Sequence, residues 1–476
     1  MCQVLRHSRI NDIPVELLQM VLLEVIPYVN CFPSPPFCHD SPASLLGVCR
    51  RWRDVIIETP KLWTRLLIRI PNTQYSKLLS QDNIRTWVER SKTHPLKLII
   101  YSPQFSSQLQ TGTHHLMEYA GQKLENIFFF YQADDGSGDF YSSLTRAGEL
   151  PLLKEASIFV KGPHASEWWS CLVQKSPNLR SLTWGAFPGY LEWYGLSQIK
   201  RLEILWPISA AQGLYILACL TDLVELDIRI YNDARFISYN PDLPSSIRNH
   251  LSHNLKILRL YPISNSEDIA AFVNLLTLPL LTTLEIAMTV ENYAMTWPQA
   301  KILSFLSRSS CSLTRLDLFR LDITEEQAID LLQHGSIRLT LLDLVISRLE
   351  GDRNLTIVGD ELLKLLTVPK EPLGDTEPVL PRLNTAVFAY TMDDATDGIL
   401  SDMVKSRYPA RCGTAPLEYL FILKHDIMQD SSRDGRYLRT ASEDGLNAVV
   451  GEDCNWYSVD EKMSSNIKRI LEDILG

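Results

Sequence analysis

The feature that most constrains this chain is a short apolar pattern, Leu-x-x-Leu-x-Leu with substitutions, that returns twelve times between residues 96 and 417. It reads LKLIIY from 96, LENIFF from 124, LKEASI from 153, LRSLTW from 179, IKRLEI from 199 and LVELDI from 223. It continues as LKILRL from 255, LTTLEI from 281, LTRLDL from 313, LTLLDL from 339, LNTAVF from 383 and LEYLFI from 417. The mean spacing is about 29 residues. Apolar residues alternate in the last four positions of each motif, which predicts a short strand with one face inward. The intervals are long enough for a helix that crosses back to a parallel strand. ITEEQAIDLLQHG, with Thr324 placed to cap and Gly335 to stop it, is one such helix, and EDIAAFVNLLTLP from Glu267 to Pro279 is another. Each unit would leave an apolar edge bare, so stacking is what stabilises it.

The expected fold is therefore α/β: a helical N-terminal segment followed by an irregular solenoid with a parallel strand sheet. The period lies at the upper end for leucine-rich repeats. Two departures stand out: the spacing is uneven, and Thr289, Leu321 and Ser347 stand where those repeats carry an asparagine. The turns must then be satisfied by other groups. The expected divisions are a helical module over 1–70 with a loop insertion at 30–42, a linker or first helix over 71–94, the solenoid over 95–425, and a polar tail over 426–476. Within that tail, DSSRDGRYLRTASEDG reads as loop, and SSNIKRILEDILG reads as a terminal capping helix.

In the N-terminal segment, Asp12 can cap a helix with Pro14 in its first turn, and Leu17, Leu18, Val21, Leu22 and Val25 recur at helical spacing. Prolines mark 30–42 as a loop. A second helix is expected from Ser44, with Leu45, Val48, Cys49, Trp52, Val55 and Ile56 on its apolar face and Arg50, Arg51, Arg53 and Asp54 opposite. On that face Cys49 reads as a small buried hydrophobe. Pro60 ends the helix before Leu62 and Trp63.

These residues resemble an F-box. The family opens on Leu-Pro-x-Glu followed by two apolar residues, which stands here as Ile13-Pro14-Val15-Glu16-Leu17-Leu18. Its middle stands as Leu45 to Trp52 (LLGVCRRW), and its closing Leu-Trp as Leu62-Trp63. The chain departs from the family by its insertion at 30–42. The resemblance implies docking on a Skp-family adaptor, and through it a cullin, by Ile13, Pro14, Leu17, Leu18, Leu45, Val48, Cys49, Trp52, Leu62 and Trp63. The repeats would then hold a protein target for ubiquitination. The alternative is a non-degradative scaffold that binds the adaptor without a cullin.

The remaining chemistry is mostly exclusion. No phosphate loop, nucleophile elbow or His-Glu-x-x-His helix is present, so no enzyme is expected, nor a cofactor; Cys31, Cys38 and His39 fit no common metal site. A net charge of −10 argues against nucleic acid as a partner, although residues 41–70 carry six basic residues against Asp54 and Glu58. The nine cysteines are scattered, which suits reduced thiols. No run is long enough to span a membrane, which makes the cytosol or nucleus the expected location. Among the clustered aromatics, Trp184 and Trp206 fall on inward strand positions, while Trp193 and Tyr194 are candidates for a target contact. The residue between the second and third apolar positions of each motif should point outward. In successive repeats these are Glu203, Asp227, Arg259, Glu285, Asp317 and Asp343, an expected acidic stripe for a basic target segment, with Tyr261 and Phe319 as apolar anchors.

Overall fold

In the computed structural model, the described residues are 13–25, 42–69, 81–102, 115–131, 148–160, 165–185, 193, 196–231, 250–263, 266–288, 297–348, 357–369, 378–392, 395–408, 414–423 and 432–450. Residues 30–41 of the expected insertion, Tyr194, the cysteines at 31 and 38, and the expected terminal helix lie outside them, whereas Pro42, expected to end that loop, opens a helix. The chain forms two compact units, 1–192 and 193–476.

The first unit opens with helices α1 (Val15–Val25), α2 (Pro42–Leu45) and α3 (Arg50–Glu58), then a 3-10 turn over Pro60–Trp63. The helix expected from Ser44 is thus broken: the chain turns at residues 46–48, and Cys49 becomes the N-cap of α3, its Sγ accepting the Trp52 amide at 3.5 Å. A sulfur is a weak acceptor compared with the Ser, Thr, Asp or Asn that favour this position. Cys49 is half-buried and Val48 is exposed, so neither belongs to the apolar face expected for them. One residue after Trp63 the first strand begins: β1 (Arg65–Arg69) pairs in parallel with β2 (Leu96–Ser102), a strand the repeat pattern did not foresee. Helix α4 (Gln81–Arg90) lies between them in sequence. Strands β3 (Leu124–Tyr131), β4 (Glu155–Val160) and β5 (Ser181–Trp184) follow, each parallel to its predecessor, with α5 (Ala165–Lys175) before β5. The Trp169 and Trp184 rings meet edge to face at 5.3 Å, both buried as core.

The second unit repeats the arrangement. Its sheet runs β6 (Arg201–Ser209), β7 (Glu225–Tyr231), β9 (Ile257–Pro262), β11 (Thr283–Ala287), β12 (Arg315–Phe319), β13 (Asp343–Ser347), β14 (Thr385–Ala389), β15 (Tyr419–Leu423) and β16 (Asn447–Val450). The short β8 (Leu251–Ser252) and β10 (Leu276–Thr277) pair with each other in parallel. Helices α6 (Ala210–Cys219), α7 (Ser266–Val273), α8 (Gln299–Ser309), α9 (Glu325–Leu332), α10 (Asp360–Leu366), α11 (Ile399–Arg407) and α12 (Arg433–Glu443) pack along the sheet and against one another. Leu202, Leu226, Leu258, Leu284, Leu316 and Leu344 share one buried row, the product of the repeating leucine. Thr324 caps α9 as predicted, in a reciprocal box with Gln327.

Three expectations change. The repeat placed at 339 starts two residues later, because Leu316 pairs with Leu344, and Leu339 is exposed. The stretch read as a loop tail contains α12 and then β16, which extends the sheet beyond β15. Trp206 points outward: the β6–β7 register slips between Ile204 and Ile208, and this bulge turns it into solvent.

Side chains from neighbouring repeats satisfy backbone groups of the segments between the strands. Ser309 Oγ accepts the Leu278 amide at 3.0 Å, and Ser406 Oγ accepts the Val368 amide at 2.8 Å. Arg308 donates to the carbonyls of Val273 and Leu276 near the end of α7. Arg407, fully buried, donates to the carbonyls of Leu366, Val379 and Leu380 at 2.6–2.8 Å, and burial alone lowers its pKa to about 10. Helix starts are capped in the same way: Glu325 accepts the Leu362 amide at 2.8 Å, and Asp434 accepts the Gly398 and Ser401 amides at 2.9 and 2.6 Å. These bonds satisfy helix termini that would otherwise leave unpaired backbone groups.

Candidate functional site

In the N-terminal module, Leu18, Leu22, Val55, Ile56, Leu62 and Trp63 form a small buried core, with Ile13, Leu45 and Trp52 packed partly against it. Trp63 is held on three sides. Its Nε1 donates to the Ile56 carbonyl at 2.8 Å, its ring meets Trp87 of α4 edge to face at 4.9 Å, and the Arg90 guanidinium sits 4.4 Å over it. With one residue between Trp63 and β1, the module joins the strands without a linker.

The residues that complete the motif on the outside are not covered. Val15 and Val21 are exposed, as are Leu17 (51%), Met20 (62%) and Val48 (56%), and Pro14 lies beside them in sequence, also exposed. The ten residues of the expected docking set thus separate: Leu18, Leu62 and Trp63 are interior, Ile13, Leu45, Cys49 and Trp52 are half-buried, and Pro14, Leu17 and Val48 face out. Leu17, Met20 and Val21, at i, i+3 and i+4, share one exposed ridge of α1; Val21 is part of the helical spacing visible in the sequence, whereas Met20 is off that spacing. Exposed single apolar residues are ordinary, but several on one short module form a patch that a partner can cover. The charges of α3 run against its dipole. Arg50, Arg51 and Arg53 fill its first turn and Glu58 is its last residue, each unfavourable by about 0.3–1 kcal/mol.

The expected acidic stripe behaves differently. Glu203, Asp227, Arg259, Glu285 and Asp317 do lie in one register row across β6, β7, β9, β11 and β12. Asp343 does not: it pairs with Arg315, and the row continues through Val345, Val387 and Phe421. Nor is the row solvent-facing. Asp227, Arg259, Glu285, Asp317 and Phe319 are buried, while Glu203, Tyr261 and Asp343 remain half-buried. The reason is mutual neutralisation. Arg259 Nε donates to Glu285 at 3.0 Å, its Nη1 donates to Glu225, and Asp227 lies 4.0 Å away. The Tyr261 hydroxyl donates to Glu285 at 2.9 Å, and Arg315 donates to Asp317 at 2.7 Å. The carboxylates around Arg259 raise its pKa even though burial acts against the charged form. Glu225 and Arg315, which hold this row together, sit two residues before Asp227 and Asp317, outside the single position per repeat that the motif singled out.

On the corresponding face of the first unit, Phe128 and Phe130 of β3 lie 5.2 and 6.1 Å from Phe159 of β4, all half-buried. Trp193 is buried, which removes it as a surface contact. Among the described residues no cluster of His, Cys, Asp or Glu could hold a metal ion, and no helix is long and apolar enough to cross a membrane.

No known protein-family profile matches the chain, and no curated protein matches it. Among solved structures, a chain of the yeast Rad7 and Elc1 complex aligns over 84% of this chain and 96% of its own, at 16% identity and a TM-score of 0.39. A protein from Bacteroides fragilis aligns over 70% of this chain and 75% of its own, at 14% identity and a TM-score of 0.33. Both TM-scores lie below 0.5.

Proposed function

We propose that the chain is the substrate-recognition subunit of a Skp-cullin-F-box ubiquitin ligase. The observation that carries the reading is the uncovered ridge of Leu17, Met20 and Val21 along α1, with Val15 and Val48 also exposed, in the segment that bears the F-box motif. Burying side chains of this size is worth about 1.5–3 kcal/mol each, which is the scale on which a partner gains by covering them. The ridge takes the Skp-family adaptor, with Pro14 and the half-buried Ile13, Leu45, Cys49 and Trp52 at its margin. The repeats take a protein target on the strand face away from the helices, with Glu203, Tyr261 and Asp343 as the members of the expected set left within reach. The chain itself supplies no chemistry. It holds target lysines near an activated thioester, where effective concentration does the catalytic work.

Affinity purification of the tagged chain tests this. The wild type should capture both a Skp-family adaptor and a cullin, and Leu17→Asp combined with Met20→Asp should lose both. The double variant should keep its melting temperature, because both positions are exposed. Undiminished capture by the variant would refute the docking assignment. Adaptor without cullin would mean a non-degradative scaffold.

A further inference from the structure

We infer that the ridge fits a Skp-family adaptor whose cleft carries carboxylates on the side that meets Arg50, so that docking is steered by charge as well as held by apolar burial; this rests on the adaptor-docking reading above. The charge pattern of α3 is one that folding alone does not favour. The first turn of α3 contains Arg50, Arg51 and Arg53 and no acidic residue, at the helix end where positive charge is least favourable. The N-cap is a cysteine rather than a carboxylate, so no nearby capping anion compensates. Two of the arginines have an internal use. Arg51 donates to the Ile13 carbonyl and Arg53 to the Leu46 carbonyl at 3.0 Å, tying α3 to the chain segments beside it. Arg50 is exposed and makes no hydrogen bond or ion pair among the described residues. It stands two residues after the exposed Val48 and beside Arg51, whose bond to Ile13 brings this end of α3 to the start of α1.

A cation held beside an apolar docking surface, at a helix end that disfavours it, is explained by a complementary anion on the partner. The surrounding segment supports the sign. Residues 41–70 hold six basic residues against Asp54 and Glu58, although the whole chain carries −10. Such a local field raises encounter rates with an acidic surface and is screened by salt, whereas the apolar ridge governs how long the complex lasts. A partner with a neutral or basic rim would gain nothing from it, and a second copy of this ridge would bring two Arg50 side chains into the same interface.

The test measures association of the purified full chain with a purified Skp-family adaptor at low and high salt, for the wild type, Arg50→Glu and Leu17→Asp. Arg50→Glu should associate about tenfold more slowly at low salt, the gap closing as salt rises, with a dissociation rate near that of the wild type. The same variant should melt at or above the wild-type temperature, since glutamate suits that helix end; a residue with a merely structural role would not show slower binding with undiminished stability. Leu17→Asp should lose binding at every salt concentration. If Leu17→Asp loses binding but Arg50→Glu associates at the wild-type rate, the charge proposal is wrong and the docking reading stands. If Arg50→Glu associates faster, the partner's rim is basic. If the wild type does not bind the adaptor, or self-associates through the ridge instead, both fall.

Discussion

On α1, Leu17 and Met20 are more than half exposed, while on β12 Asp317 has no exposure at all. The N-terminal module leaves apolar surface in water, and the sheet of the second unit hides charge, the reverse of what residue type alone would suggest. The difference lies in where each group finds its complement. Removing a charge from water costs several kcal/mol, and it is sustained only where partners are close and well oriented. Arg259, between Glu225 and Glu285, has such partners within its own sheet. The ridge of α1 has no counterpart in its own small core, which is already filled by Leu18, Leu22, Ile56 and Trp63. The sheet face has its complement within the chain, whereas the ridge leaves apolar surface in water.

The largest expected effect breaks the self-contained side. Arg259→Ala leaves Glu225, Asp227 and Glu285 close together without their cation, and should cost about 3–5 kcal/mol in denaturant unfolding of the second unit. Adaptor capture should not change in conditions where the chain remains folded. An unfolding midpoint indistinguishable from the wild type would mean that the row is held by packing and not by its ion pairs. Trp63→Ala should be comparable in size, about 3–5 kcal/mol, but in the first unit. It empties the core that supports the ridge and removes the contact to Trp87, so capture of the adaptor should weaken together with stability. Loss of stability with full adaptor binding would separate the ridge from the core beneath it.

These contrasts also explain what the sequence disclosed. The strands were legible because a parallel sheet covered by helices needs an apolar residue at each inward position, and Leu202 through Leu344 supply it. The register of β13 was not, because leucines at 339, 341, 342 and 344 satisfy the motif in two frames, and only pairing with β12 selects one. Alternation correctly placed Asp227 and Asp317 away from the leucine row, but it cannot tell a face open to water from one closed by ion pairs across strands. That distinction needs Glu225, whose partner Arg259 is remote in sequence, and Arg315, which turns onto Asp317 two residues along its own strand. In the module the motif residues were legible as a set. Their division into core and ridge depends on a helix break at residues 46–48 that no proline announces. The stretch Arg433–Glu443 looked like loop because Leu438 and Ala441 are nearly all the apolar surface it buries. It is helical because neighbouring repeats cap it.

That capping gives the smallest effect and the finest test of the comparison. The amides of Arg433 and Asp434 both donate to Asp397 at 2.9 Å, and these bonds hold the Asp397 carboxyl below its ordinary pKa of 3.8. The Thr396 hydroxyl and amide do the same for Asp360. A carboxyl whose folded pKa is depressed contributes stability that is fully present above its unfolded value and is lost as pH falls through the folded one. Hydrogen-exchange protection of α12 and β16 should therefore be constant from neutral pH down to near 3.8, then decline on further acidification ahead of the strands around β11 and β12. Asp397→Asn should lower that protection at neutral pH and flatten its acid dependence. In the module, α3 begins on a cysteine cap with no acidic residue in its first turn, so its protection should not show this acid step. Equal acid sensitivity in α3 and α12, or an Asp397→Asn variant that keeps the full acid loss, would show that these carboxylate caps do not hold the last repeat in place.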